Sequence, residues 1–520
     1  MATERKILLI GSGFVARPTV EYILRRPENL LTVACRRISH AETLSRSFPR
    51  ATPISLDVTN EKALDAVVSE HDIVISLIPY ILHPYVIKSV IKFKKNMVTT
   101  SYVSPTMRSF DAEAKANGLT IMNEIGLDPG IDHLFAVKTI NEVHEAGGKI
   151  ISFISYCGGL PAPEASNNPL GYKFSWSSRG VLLALKNSAK FYQDGEIVEI
   201  PDSQLMLSAK PYFIYPAFAF LAYPNRDSTP FREYYNIPEA KTILRGTLRY
   251  QGFTNFVKVL VDIGLLDDSE QDYLSPNASE ITWKDVLAKV IGISSKDESD
   301  LRKNIARKVS EISDEELERI FRGFKWLGLF SDEKVHRKGN LLDTLCATFE
   351  EKMQYGEGER DMVILQHKFE IETKSGERET WTSTLLEYGD PNGPSAMAKT
   401  VGTPCGIAHN KNGNESLSND NTSSSYSEDS SNYNHSLSND NYQMKIFAAI
   451  DNDENINESN SDKNKELQRE NLKLNFKHSN LIKKETQVEP NIIDIINTFK
   501  KYKVNHNKLS KIDIMDLFSK

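Results

Sequence analysis

Apolar positions in the first part of the chain fall into short, nearly continuous runs. Each run is followed by a segment with apolar residues at helical spacing. Residues 6 to 10, Lys6-Ile7-Leu8-Leu9-Ile10, have the pattern of a parallel strand buried on both faces. Thr19 to Arg26 predicts a helix, Leu31 to Cys35 a second strand, Ser39 to Phe48 a helix and Ala51 to Val58 a third strand. Glu61 to Ser69 continues as a helix, Asp72 to Pro79 as a strand, Tyr85 to Lys94 as a helix and Met97 to Tyr102 as a strand. Such alternation predicts a doubly wound parallel sheet, whose ligands bind beyond the carboxyl ends of the strands.

The pattern then changes. Ile150 to Tyr156 reads as a strand, Val181 to Ala189 as a helix, and the aromatic-rich Tyr212 to Tyr223 as buried β structure. Residues near 251 to 340 carry apolar positions at helical spacing among many charges, notably Phe253 to Leu266 and Asp297 to Phe330. Leu341 to Tyr355 is a further amphipathic helix. Met362 to Glu372 and Glu377 to Tyr388 alternate like a hairpin around Lys374-Ser375-Gly376-Glu377. This return to β structure predicts a discontinuous second domain, 129–250 with 341–391, into which the helical unit 251–340 is inserted. The first domain is expected over 1–128, with 392–408 returning to it.

Composition breaks near His409. From there to about 475 the chain is dominated by Asn, Ser, Asp, Glu and Lys, and Ser416-Leu417-Ser418-Asn419-Asp420-Asn421 is repeated at 436–441. Such a segment buries too little apolar surface to offset its ordering entropy. The tail 409–520 is therefore expected to be largely disordered and to make few contacts, with one or two marginal helices in Ile492 to Phe518. The expected fold class is α/β: a Rossmann-like parallel-sheet domain, a mixed α/β substrate domain with an all-helical insert, and a disordered tail.

The totals narrow the functional classes. At 520 residues the chain is too long for one core, and 40% hydrophobic residues suit a soluble globular protein. A net charge of −7 and the lack of a sustained basic face give no reason to expect nucleic acid. Cys35, Cys157, Cys346 and Cys405 have no metal-ligand spacing and suggest reduced thiols, so no metal is expected. Residues Met1 to Lys6 lead straight into the first strand without a signal-peptide pattern, and no apolar stretch is long enough to span a bilayer. A cytoplasmic protein with no membrane partner is the expectation.

The turn after the first strand carries the chemistry. Gly11-Ser12-Gly13-Phe14-Val15-Ala16 is a G-x-G-x-x-A sequence between a strand and a helix, followed by a second apolar strand. Gly11 permits the tight turn, Gly13 keeps no side chain between backbone and pyrophosphate, and Ala16 lets helix and strand pack closely. The helix N-terminus then faces the phosphates. Where an NAD-binding domain usually carries Asp or Glu, this chain has Arg36-Arg37. A guanidinium binds a 2′-phosphate through two parallel hydrogen bonds, so NADP is favoured over NAD. Position alone nominates the strand ends Asp57-Val58, Ile78-Pro79 and Thr100-Ser101-Tyr102, each equally readable as an ordinary strand end. Asp128-Pro129-Gly130 is turn chemistry that does not require its aspartate. Arg226 and Arg249, beside apolar sequence, suit carboxylates or surface ion pairs.

Taken together, these landmarks resemble the saccharopine reductase family, the glutamate-forming, NADP-dependent saccharopine dehydrogenases of the fungal lysine pathway. The resemblance covers about residues 5 to 408. It rests on Leu9 to Ala16, Val33-Ala34-Cys35-Arg36, the segments 72–80 and 123–134, Ser155 to Pro163, Asn168 to Leu185, Tyr223 to Ser228, and Arg245 to Phe253. It implies reversible reduction, by NADPH, of the imine of glutamate and aminoadipate semialdehyde, and a homodimer. The implied cofactor contacts are Gly11, Ser12, Gly13, Phe14, Val15, Ala34, Cys35, Arg36, Asp57, Val58, Ile78, Thr100, Ser101, Leu127, Asp128, Pro129 and Ser177. The implied substrate contacts are Ser101, Tyr102, Asp128, Arg226, Thr247, Leu248 and Arg249. Asp128 and Cys157 are the polar candidates near the imine nitrogen; Cys157 also reads as a small buried thiol.

One stretch departs from the family. After Val401-Gly402-Thr403-Pro404 the family runs on through a helix on the first domain, whereas here the match stops near Ala408. Two further readings stay open at this point. One keeps the enzyme class but reduces another imine, which would favour acidic residues over Arg226 and Arg249. The other is an NADP-binding regulatory module without activity.

Overall fold

A computed structural model describes residues 4–309 and 311–409 and the backbone of Thr486–Val488. The described chain divides into two compact units: residues up to His133 together with the stretch from Thr400, and Leu134–Lys399. The expectations for residues 410–475 and for Ile492 to Phe518 fall outside the described residues.

The first unit alternates β1 (Arg5–Ile10), α1 (Ala16–Ile23), β2 (Asn29–Cys35), α2 (Ile38–Ser45), β3 (Ala51–Ser55), α3 (Glu61–Ser69), β4 (Ile73–Ser76), α4 (His83–Lys92) and β5 (Asn96–Thr99). The short helices α5 (Pro105–Arg108) and α6 (Asp111–Ala116) precede β6 (Ile121–Met122) and α7 (Ile131–Glu145). The strands form one six-stranded sheet in the order β3-β2-β1-β4-β5-β6, all parallel. Ile7, Leu8 and Leu9 are completely buried, because β1 sits at the centre with helices on both faces. Leu8 and Ile10 pack with Val74, Met97, and Val86 and Val90 of α4. Asn60 caps α3, its side chain accepting the Ala63 N–H at 3.2 Å, with Glu61 in the first turn.

Three strands end earlier than their apolar runs predict. β3 stops at Ser55, β4 at Ser76 and β5 at Thr99, so Leu56–Val58, Leu77–Pro79 and Thr100–Tyr102 are loops at the carboxyl ends. Local bonds take the chain off the ladder: Asp57 turns back onto Thr59, whose N–H and hydroxyl it accepts at 3.0 and 2.7 Å.

His409 corrects the expected start of the tail. It is completely buried in the first unit, its Nε2 lies 3.2 Å from the Asn29 amide nitrogen, and its carbonyl accepts from Arg5 at 2.9 Å. Composition hides this, because a single histidine beside an Asn/Ser-rich run looks like part of the run.

The second unit is built on β7 (Lys149–Pro161). α8 (Ser178–Ala184), β8 (Ala189–Gln193), β9 (Glu196–Ile200), α9 (Asp202–Leu205), β10 (Lys210–Tyr212), β11 (Phe220–Pro224), α10 (Phe231–Tyr234) and β12 (Thr242–Tyr250) follow. The helices α11 (Phe253–Asp262), α12 (Trp283–Ile291), α13 (Glu298–Lys308), α14 (Asp314–Trp326) and α15 (Leu341–Lys352) lead to the hairpin β13 (Asp361–Glu372) and β14 (Arg378–Tyr388). α16 (Ala396–Ala408) comes next, and β15 (Thr486–Val488) pairs parallel with β14. The mixed sheet runs β10-β11-β12-β7-β13-β14-β15, with the β8–β9 hairpin joined to β12.

β7 runs past the predicted Tyr156 through Gly158 and Gly159 to Pro161. The two glycines belong there because side chains would collide. A Cβ on Gly158 would lie 3.0 Å from Leu248 Cβ, and one on Gly159 would lie 2.3 Å from Met397 Cε. Tyr212 to Tyr223 is not one strand: the chain leaves the sheet between β10 and β11, where Phe213 is 72% exposed. The predicted helix over Val181 to Ala189 ends at Ala184, and Ala189 opens β8. Helices α11 to α15 share one apolar core with the sheet, where Leu260, Ile320, Phe324 and Phe349 join Phe220 and Leu248. A capping box between Thr282 and Asp285 starts α12, and left-handed Gly292 ends it.

Candidate functional site

In the first unit the nominated residues follow the carboxyl ends of β1, β2, β3, β4, β5 and β6. Gly11 has φ +112°, and a Cβ there would lie 2.8 Å from the Leu77 carbonyl oxygen, so only glycine makes this turn. Gly13 is exposed, and a Cβ built on it meets nothing within 4 Å. The Ser12 hydroxyl is buried without a hydrogen-bond partner among the described residues. α1 begins with no side-chain cap and no acidic residue in its first turn. An open backbone cradle, an unpartnered hydroxyl and an uncapped helix start all fit a bound pyrophosphate. Val15 lies just before α1, and Phe14 is 73% exposed.

At the end of β2, Ala34 is buried and Cys35 is a half-buried free thiol, and Arg36 just beyond the strand is exposed. The Thr59 hydroxyl and N–H hold the Asp57 carboxyl below its usual range, and the charge of Arg36 adds to this. Val58 is buried in the core, so its backbone is what it can offer a ligand; Ile78 is partly buried against the same core.

Ser101, Tyr102 and Asp128 come together. The Tyr102 hydroxyl lies 3.4 Å from Asp128 Oδ1 and 3.5 Å from the Asp128 carbonyl oxygen. Leu127 is buried, and Asp128-Pro129 is a cis bond. Gly130 takes φ +145° with Gly126 packed against it, so the turn that carries Asp128 is closed on itself.

Sequence reasoning missed the residues that hold these loops. The His83 ring is buried, with Nδ1 3.0 Å from the Ser76 hydroxyl and Nε2 2.9 Å from that of Ser101 and 3.1 Å from that of Thr99. Burial pushes its pKa down to about 4, so it is neutral at pH 7. Glu124, Asp132 and His133 form a second buried group under the Asp128 turn. Their types were visible in the 123–134 segment, but no spacing rule separates them from ordinary helix-start residues.

The second unit carries the remaining candidates. Arg249 on β12 is 7% exposed, with its guanidinium 5.0 Å above the Tyr172 ring and 5.3 Å above that of Phe253. Its Nη1 donates to the Leu248 carbonyl at 2.7 Å, its Nε finds no acceptor, and no described carboxylate pairs with it. Burial raises the phenol pKa values of Tyr172 and Tyr223, and the Arg249 charge opposes both. A buried guanidinium with no counter-ion among the described residues fits a carboxylate ligand. Thr247 is half-buried and Leu248 wholly buried in the core. Arg226 is exposed and left-handed at φ +57°, in the loop after β11. Cys157, a half-buried thiol outside any disulfide, lies on β7 opposite Thr247 on one side and Leu365 on the other. Ser177 is exposed and caps α8, its hydroxyl accepting the Gly180 N–H at 3.1 Å. Among the described residues no group of three His, Cys, Asp or Glu side chains suits a metal ion.

Comparison with known proteins decides the family. Residues 7–122 match the model of the saccharopine dehydrogenase NADP binding domain, and residues 126–418 that of the saccharopine dehydrogenase C-terminal domain. The chain belongs to the saccharopine dehydrogenase family. A relative from Schizosaccharomyces pombe, saccharopine dehydrogenase [NADP(+), L-glutamate-forming], is 61% identical over 402 residues, 77% of this chain and 89% of that one. A protein of the same description from Pyricularia oryzae is 61% identical over 78% of this chain and 90% of its own. The solved structure of apo histidine-tagged saccharopine dehydrogenase (L-Glu forming) from Saccharomyces cerevisiae superposes with a TM-score of 0.72 at 56% identity. It covers 78% of this chain and 91% of that chain. The resemblance seen in the sequence is borne out, and so is the α/β fold class in its described part, a Rossmann-like parallel sheet and a mixed sheet with helices; the expected tail lies outside the described residues.

Proposed function

We propose that this chain is a saccharopine dehydrogenase of the NADP-dependent, L-glutamate-forming type. It reversibly reduces the imine of L-glutamate and 2-aminoadipate 6-semialdehyde to saccharopine, a step of lysine biosynthesis. The observation that carries this is the 61% identity over 402 residues to a relative of that description. The open cradle at Ser12 and Gly13 supports the dinucleotide, and Arg36 in place of a carboxylate supports its 2′-phosphate. Small-molecule substrates follow; the homodimer and the cytoplasmic setting belong to the proposal, and no described helix is long and apolar enough to cross a membrane.

NADPH, when bound, supplies the hydride. The chain orients the reactants, excludes water and matches charge. Ser12, Gly13, Phe14 and Val15 hold the pyrophosphate in this reading, and Arg36 holds the 2′-phosphate. Asp57, Val58, Ile78, Thr100, Leu127, Pro129 and Ser177 complete the cofactor contacts. Arg226 and Arg249, with Thr247 and Leu248 backbone, hold carboxylates, and saccharopine offers three. Ser101, Tyr102 and Asp128 face the substrate. The negative charge of Asp128 complements an iminium, and Cys157 is the other polar candidate that the family resemblance names.

NADPH consumption tests the reading. It is expected only when glutamate and aminoadipate semialdehyde are both present. Consumption with the semialdehyde alone would make the protein a different reductase, and none with both would leave a binding module.

A further inference from the structure

Two loops of the first unit present Tyr102 and Asp128, and one buried carboxylate joins them. Glu124 is 5% exposed and left-handed at φ +61°, a conformation that a non-glycine residue keeps only where its surroundings impose it. Its Oε1 accepts the Val103 N–H at 3.0 Å, next to Tyr102, and its own N–H donates to the Ser101 carbonyl at 3.1 Å. Its Oε2 lies 2.9 Å from His133 Nε2. His133 and Asp132 open α7, directly after the Asp128 turn, and are 2% and 1% exposed. Asp132 Oδ1 accepts the Gly130 N–H at 2.6 Å, its Oδ2 lies 3.6 Å from His133 Nδ1, and its N–H donates to the Leu127 carbonyl at 3.1 Å. Hydrogen bonds therefore run from Val103 through Glu124 to His133, and from Asp132 to Gly130 and Leu127, with the 3.6 Å ionic approach of the neighbouring His133 and Asp132 between them.

We propose that Glu124, with His133 and Asp132, is a positioning group that sets the Tyr102 hydroxyl against Asp128 for saccharopine. This rests on the function proposed above. The geometry gives these buried ionisable groups a part to play. Two loops are fixed relative to each other by hydrogen bonds of defined direction, which apolar contacts do not supply. Neither Glu124 nor His133 touches the reacting atoms in this account; they act through Tyr102 and Asp128.

Glu124→Ala, in the full chain, is the test, measured alone and in an Asp128→Asn, Tyr102→Phe background. Saccharopine turnover gives kcat and KM, and quenching of NADPH fluorescence gives cofactor affinity. Glu124→Ala is expected to lower kcat at least tenfold, with NADPH affinity within twofold of the unmodified chain. Glu124→Gln, which can still accept the Val103 N–H, is expected to recover part of that loss. In the background without the Tyr102 hydroxyl and the Asp128 charge, the same substitution is expected to change kcat less than twofold. Equal losses in both backgrounds would make Glu124 merely structural and overturn the proposal, as would an unchanged kcat in the single variant. Should Glu124→Ala not fold, the same comparison with Glu124→Gln decides. An unmodified chain that binds NADPH but does not turn over saccharopine withdraws the functional reading, and the proposal with it; an active one isolates the proposal.

Discussion

The Thr19 hydroxyl donates to the Gly402 carbonyl at 2.9 Å, joining two positions 383 residues apart. Thr19 lies in α1, the helix that follows the glycine-rich turn, and Gly402 lies in α16. A Cβ on Gly402 would sit 2.4 Å from the Val15 carbonyl oxygen and 3.1 Å from Thr19 Oγ1. Gly406 meets Tyr22 one turn later, where a Cβ would lie 2.8 Å from that of Tyr22. The glycine-rich turn is thus buttressed by a helix that comes 383 residues later in the chain.

Gly402→Ala should therefore destabilise the first unit by about 1–3 kcal/mol, the usual range for an overpacked contact. It should also weaken NADPH binding, because Val15 belongs to the loop that moves. Urea unfolding and NADPH titration check both. An unchanged midpoint with unchanged affinity would mean that α16 adjusts freely.

In the proposed reading, cofactor choice depends on Arg36. Arg36→Asp should weaken NADPH far more than NADH, since a hydrogen bond to a charged group contributes roughly 1.5–3 kcal/mol, or about ten- to a hundredfold in affinity. Titrations with both nucleotides check this. Equal weakening of the two would remove Arg36 from the 2′-phosphate.

Arg226→Lys keeps the charge and loses the two-pronged geometry. It should raise the KM for saccharopine while leaving NADPH affinity nearly unchanged. A collapse of NADPH binding would assign Arg226 to the cofactor or to folding instead.

Acid should loosen the first unit through its buried histidines. Burial pushes the pKa of His83 down to about 4 and that of His409 to about 3. Between those values and the ordinary 6.5, the unfolded chain binds protons that the folded chain does not. Stability from each is fully present above pH 6.5 and is lost as pH falls toward the folded value. One such proton contributes a slope of about 1.4 kcal/mol per pH unit. Urea unfolding from pH 7 to pH 4 should show a slope smaller by one proton in His83→Asn. Parallel curves for the two proteins would contradict a neutral His83.

Much of the first unit was legible because burial on both sheet faces writes itself as unbroken apolar runs: Ile7 to Ile10 and Ile73 to Ile75 needed no tertiary information. The cradle was legible for a related reason, since Gly11 and Gly13 answer to backbone geometry alone. The length of β7 was not, because Gly158 and Gly159 look like a turn until Leu248 and Met397 are seen to fill the space beside them. His83, Glu124 and His133 escaped notice because their partners come from other loops. His83 meets Ser101, 18 residues on, and spacing along one helix or strand does not encode such contacts. His409 was lost for the opposite reason: its neighbours in sequence are polar, and its neighbours in space, Asn29 and Arg5, lie 380 and 404 residues earlier in the chain.

The most direct measurement of the whole account runs the reaction from saccharopine. The full chain is supplied with saccharopine and NADP, and the appearance of NADPH and of free glutamate is followed together. The account predicts that both form in equal amounts, and much faster with NADP than with NAD. No nucleotide reduction above the protein-free level, or reduction without release of glutamate, would contradict it.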